Sequence, residues 1–106
     1  MYIYTSTTLD VLNNDEKVVA ILTSTIAKKY RVVGVYSEMV ENLYLVGYYE
    51  KEKIIDIDSL MLQKHEGFIP LNLEIAVGES LLLGYRNKTG SDRTGDDIGI
   101  VYEVVG

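Results

Sequence analysis

A chain of 106 residues with 47% hydrophobic content is long enough to bury one core and too apolar to remain disordered. Sixteen carboxylates against ten Lys and Arg leave a net charge of −6, and only Lys28, Lys29 and Arg31 stand close together. Phosphate binding needs clustered cations, so neither nucleic acid nor an anionic membrane is expected as a partner. With no cysteine, a disulfide framework, a thiolate metal site and a cysteine nucleophile are excluded together.

The N-terminal residues Met1-Tyr2-Ile3-Tyr4 lack the basic start and apolar centre of a signal peptide. Residues 2–8, rich in β-branched and aromatic side chains, read as a strand, and Asn13-Asn14-Asp15 as a turn. In 16–25, Val18 to Leu22 form an unbroken apolar run. A strand apolar on both faces is either central in its sheet or covered by another subunit. The competing reading is a helix over 15–29 capped by Asp15, which Thr23-Ser24-Thr25 argues against. Residues 30–37 read as a strand with Tyr30, Val32, Gly34 and Tyr36 on one side and Arg31, Val33 and Val35 on the other.

After a polar connection, 43–50 reads as a strand with Leu43, Leu45 and Tyr49 opposite Tyr44, Val46 and Tyr48. Gly47 inside it suggests a bulge or a close approach. A charged tip at 50–53 leads to a short strand, 54–57, with Asp56 and Asp58 outward. Residues 59–67 fit one helical turn or a further strand equally well, and Pro70 opens the next strand, where a missing N–H is tolerated. Leu71, Leu73, Ile75 and Val77 then alternate with Asn72, Glu74 and Ala76. Val77-Gly78-Glu79 turns the chain into the strand 80–87, with Leu81, Leu83 and Tyr85 on one face. The stretch from Lys88 to Asp96 has the composition of an exposed hairpin loop. The last strand places Ile98, Ile100, Tyr102 and Val104 on one face, opposite Asp97, Gly99, Val101 and Glu103. Evenly spaced short strands predict an all-β fold: a single-domain antiparallel β-sandwich over 1–106, jelly-roll-like, with about eight strands. No apolar run approaches the ~18 to 20 residues of a membrane helix.

Candidates for chemistry are few. His65, the one histidine, lies in the polar run Gln63-Lys64-His65-Glu66-Gly67 with no nucleophile assigned to it, so an exposed loop histidine is preferred to a general base. Asp56 and Asp58, two residues apart on one strand face, have the spacing of a carboxylate pair but nothing that raises either pKa, and read as an outward face. Asp92, Asp96 and Asp97 with Ser91 form an acidic loop cluster of the kind that holds hard cations. Arg93 among them and a spacing that fits no ligand pattern favour a solvated tip, and Asp92, Arg93 and Asp96 are kept as a possible contact loop. Asn87-Lys88-Thr89 fits a glycosylation sequon in what reads as an exposed loop, with no secretion signal to support its use. No cofactor or metal is expected, and catalysis has little to stand on.

The tyrosines carry more signal: nine, against one phenylalanine and no tryptophan. Tyrosine joins apolar area to a polar end and suits interfaces and core rims alike. Tyr36, Tyr44, Tyr48 and Tyr49 fall on strands that look apolar on both faces, whereas a lone sandwich needs one apolar face per sheet. The surplus points to a homo-oligomer, a trimer or ring, with these four as interface candidates.

The segments Ile69-Pro-Leu-Asn-Leu-Glu-Ile-Ala-Val-Gly-Glu-Ser-Leu81, Gly84-Tyr-Arg-Asn87 and Gly99-Ile-Val-Tyr-Glu103 resemble small β-sandwich proteins of virus particles, the decoration, spike and fibre-head modules of phages and archaeal viruses. The likeness extends loosely over 23–103 and includes Tyr30-Arg-Val-Val-Gly-Val-Tyr36. It implies a jelly-roll-like fold, a structural or attachment role in a virion, oligomers that are often trimers, and other capsid proteins as partners. It carries no catalytic motif to transfer. Three functions are thus open: a self-assembling structural protein, a ligand-binding module such as a carbohydrate binder stacking on tyrosines, and a small enzyme built on His65 or on Asp56 and Asp58. The first is preferred. Carbohydrate platforms favour the tryptophan that is absent here.

Overall fold

The computed structural model describes residues 1–25 and 28–105. Eight strands run in order: β1 (Ile3–Val11), β2 (Glu16–Thr23), β3 (Tyr30–Ser37), β4 (Leu43–Tyr49), β5 (Glu52–Asp58), β6 (Phe68–Ile75), β7 (Ser80–Asn87) and β8 (Arg93–Val104). The unbroken run at 18–22 lies in a strand, not a helix. The segment after β5 is a 3-10 helix, Ser59–His65. Asp58 caps it by accepting from Leu60 N, and Glu66 ends it in the left-handed region.

Two four-stranded antiparallel sheets pack face to face, in the orders β1-β8-β3-β6 and β2-β7-β4-β5. Strands 1 and 8, 2 and 7, 3 and 6, and 4 and 5 are paired throughout, so the chain is one long hairpin with β4 and β5 at its tip, rolled until alternate pairs fall in opposite sheets. That is the jelly roll. The core between the sheets holds Leu9, Val11, Leu43, Leu45, Ile75, Leu81, Leu83, Ile98 and Ile100, each all but sealed from water. Among the described residues, every buried side-chain nitrogen and oxygen has a partner. No helix among them is long and apolar enough to cross a membrane.

Bulges correct the faces expected from alternation. The pairing of β3 with both neighbours shifts between Val32 and Gly34, so Val33 is the extra residue. Val32 and Val35 therefore both enter the core, and Tyr36 turns outward with Gly34. A second shift, between Gly47 and Tyr48 against β5, realises the irregularity expected at Gly47. The edge strands are blunted: β1 and β2 by bulges, β6 by Pro70, β5 by its charged start.

The expected loop from Lys88 to Asp96 is shorter than its composition suggested, because β8 already begins at Arg93. Asp96 is buried and grips the Arg93 guanidinium at 2.7 and 3.0 Å. Asn87 is fully buried and not in an exposed loop; its Nδ2 donates to Val11 O and Ser91 O, and its Oδ1 receives Thr89 N. Thr89 Oγ1 donates to the same oxygen, and an amide spent on four internal bonds organises the turn and is withdrawn from any modifying enzyme.

Candidate functional site

The strand faces turned away from the core distinguish the two sheets. On the β2-β7-β4-β5 sheet, cross-strand register brings Glu16, Arg86, Tyr44 and Asp58 into one row and Val18, Gly84, Val46 and Asp56 into the next. Arg86 donates to both oxygens of Asp56, at 2.9 and 3.0 Å, and lies over the Tyr44 ring at 4.6 Å. Lys53 adds a 3.1 Å bond to the same carboxylate and stands over the Tyr48 ring, whose hydroxyl donates to Glu16 at 3.0 Å. The Arg86 hydrogen bonds, joined by Lys53, hold the Asp56 carboxyl below its usual range. Val46 points to this outer face and yet has no exposure, because its neighbours close over it. The layer is charged, aromatic and internally complete.

The β1-β8-β3-β6 sheet is finished differently. Gly99 of β8 and Gly34 of β3 leave two shallow places in the middle of its outer face, and rings from the edge strands fill them. A Cβ on Gly99 would meet Tyr4 Oη at 2.7 Å, and one on Gly34 would overlap the Phe68 ring. Tyr36 stands between, edge-to-face with Tyr4 at 5.9 Å and tilted against Phe68 at 4.7 Å. The result is an aromatic row across four strands, with Tyr4 58% and Tyr36 41% exposed. Beside it Met39, also 41% exposed, closes a groove of about 120 Å³ shared with Glu38, Asp97 and Gly99.

A buried phenol fixes this groove from beneath. Tyr85, on the opposite sheet, reaches across the core; its hydroxyl donates to Asp97 O at 2.6 Å and receives Glu38 N at 2.9 Å. Ser37 Oγ lies 3.2 Å away. Burial pushes the Tyr85 phenol up to about 12, so the hydroxyl keeps its proton and the clamp holds at neutral pH. The two acids above it are engaged only lightly. Asp97 accepts from Thr8 Oγ1 at 3.0 Å and Glu38 from Asp97 N at 3.3 Å. Neither is in an ion pair among the described residues; Arg93, close enough to feel the Glu38 charge, is spent on Asp96.

The residues singled out in the sequence scatter over this frame. Tyr36 joins the aromatic row, Tyr44 and Tyr48 the closed layer of the other sheet. Tyr49 packs against the core, donating to Glu79 at 2.6 Å and receiving Ala76 N. They do not share one surface. Asp92 is tied to the Asn13 amide at 2.8 Å, while Arg93 and Asp96 pair with each other in β8, so the three do not form an open contact loop. Asp56 serves Arg86, whereas Asp58 caps the 3-10 helix and accepts from Asn42 N. His65 is exposed at the end of that helix. Tyr4, Met39 and Glu38, which complete the groove, and Phe68, which extends the aromatic row, were missed; the signal available was Gly34 and Gly99 inside strands, where a glycine marks a close approach.

The chain matches no family profile and no curated protein. Among solved structures it is similar to the nucleoplasmin-like N-terminal domain of Drosophila FKBP39, with a TM-score of 0.50 and 15% identity over 100% of this chain and 91% of that one. At that identity the likeness is one of fold alone.

Proposed function

We propose that this chain is a non-catalytic, self-assembling β-sandwich with a structural or attachment role, of the kind found in virus particles, and that it assembles through the outer face of the β1-β8-β3-β6 sheet. The observation that carries this reading is the open aromatic row Tyr4–Tyr36–Phe68 with Met39 at its side. Half-exposed aromatics on a flat, strand-built floor are the usual material of an interface centre. The strand motifs that resemble those of virion modules support the same reading, and a homo-oligomer is its expected form, a trimer or ring first. Light scattering coupled to size exclusion tests it: a defined multiple of 11.9 kDa is expected, and a monomer at every concentration would contradict it.

The second reading, a ligand-binding module, finds its best place in the same groove. At about 120 Å³ it is well below the roughly 300–1,000 Å³ of sites that enclose a drug-sized ligand, so it suits one protruding side chain better than a sugar.

A further inference from the structure

Every arginine of the chain is committed internally: Arg31 to Glu103, Arg86 to Asp56, Arg93 to Asp96. Lys53 is likewise held by Asp56. The cations outside ion pairs among the described residues are therefore lysines. Lys17 follows Asp15 and Glu16, and Lys51 stands between Glu50 and Glu52, so each is locally neutralised. Lys64 and Lys88 sit on connections at the same end of the sandwich as Glu38, where the Lys88 amide bonds Asn42 O. At the opposite end stand Lys28 and Lys29, an exposed adjacent pair that is in no ion pair among the described residues.

Lys28 and Lys29 lie just before β3 and Glu38 just after it. Eight strand residues at ~3.3 Å each separate them by roughly 26 Å, beyond the reach of any lysine. Within one molecule Lys28 and Lys29 cannot reach the acidic groove. Between molecules they can.

We propose that the groove bounded by Tyr4, Tyr36, Met39, Glu38 and Asp97 receives Lys28 or Lys29 of a second copy, head to tail. The inference rests on the self-assembly reading and supplies its geometry. An ammonium in this groove meets two carboxylates that lack a cation and the faces of two tyrosines, which attract it through their quadrupole. Its methylene stem lies along Met39 and the rings, apolar surface that is open in the single chain. A contact between different patches on the two partners is heterologous, so repetition closes a ring or propagates a filament.

Charge reversal tests this with three samples: the native chain, Lys28→Glu/Lys29→Glu, and Glu38→Lys/Asp97→Lys. Circular dichroism and thermal melting first establish that each variant is folded. Mass in solution is then measured for each alone and for an equimolar mixture of the variants. The native chain is expected to assemble, and each variant to dissociate with association weakened about a hundredfold or more by the like charges brought together. The mixture is expected to reassociate beyond the monomer in alternating order, since each reversed tail then faces a groove of opposite sign. An even-numbered ring or a filament regains the native mass, whereas a trimer or other odd-numbered ring cannot alternate and gives heterodimers or open chains. Variants that keep the native mass, or a mixture that stays monomeric, would overturn the lysine-in-groove contact while leaving self-assembly standing. A native chain that is itself monomeric would overturn both.

Discussion

The two sheets of this sandwich face outward in opposite ways. On the β2-β7-β4-β5 side, Arg86, Asp56, Lys53 and Glu16 satisfy one another, two tyrosines carry their cations, and Val46 is sealed beneath them. On the β1-β8-β3-β6 side, rings lie on glycine floors with half their area open, and Glu38 and Asp97 are in no ion pair among the described residues. Both surfaces are rich in tyrosine. What separates them is whether the polar groups beside the rings are already matched, and composition does not report that. A face that completes itself gains little from a partner, because any contact must first break bonds it already has.

The largest expected effect on this contrast concerns what lies under each face. Gly84 of β7 packs against the backbone of β2, where a Cβ would overlap Lys17 O, and backbone cannot swing aside. Gly99 of β8 faces the end of the Tyr4 ring, which can. Gly84→Ala should therefore cost about 3 kcal/mol and Gly99→Ala about 1 kcal/mol, read from denaturant midpoints. Equal costs would mean that the Tyr4 ring is as fixed as the backbone.

Next comes Tyr85→Phe, expected to cost about 2 kcal/mol because Asp97 O and Glu38 N lose their shared partner. The same residue sets an alkaline limit. Its neutral form is favoured in the folded state, so this stabilisation is whole below pH 10 and drains away as the pH rises toward about 12. A native chain that weakens over that window, beside a phenylalanine variant that weakens less, is the expected pair of curves. A smaller effect tests the closed face. Asp56→Asn should cost ~1 kcal/mol or less at pH 7, given half-exposed partners. The carboxylate is held low in the folded state, so its stabilisation is present at neutral pH and lost as the pH falls below the ordinary carboxylate range. The difference between native and variant melting temperatures should accordingly shrink at pH 3.

Much of the fold was legible because the core obeys period two over long stretches. Leu71, Leu73 and Ile75 could face only one way, and the even spacing of turns led to eight strands. The illegible parts have physical causes. One extra residue, Val33, reverses the faces of β3 beyond it and sends Tyr36 outward. A stretch composed as Thr-Gly-Ser-Asp-Arg-Thr-Gly-Asp looks solvated, yet pairing with β1 recruits Arg93 onward into a strand and buries Asp96 in an ion pair. Asn87 reads as the strand end before an exposed loop, although its buried amide is what shapes the turn. The groove was illegible as a unit because it joins Tyr4, Tyr36, Met39 and Asp97, residues that only the rolled hairpin brings together.

The most direct measurement compares the two faces in one experiment: mass in solution, by light scattering, of Tyr36→Ala and Tyr48→Ala beside the native chain. The open face predicts that Tyr36→Ala falls to the 11.9 kDa monomer while Tyr48→Ala keeps the native assembly. An assembly that survives the loss of Tyr36 and collapses with the loss of Tyr48 would place the contact on the closed face and contradict the division drawn between them.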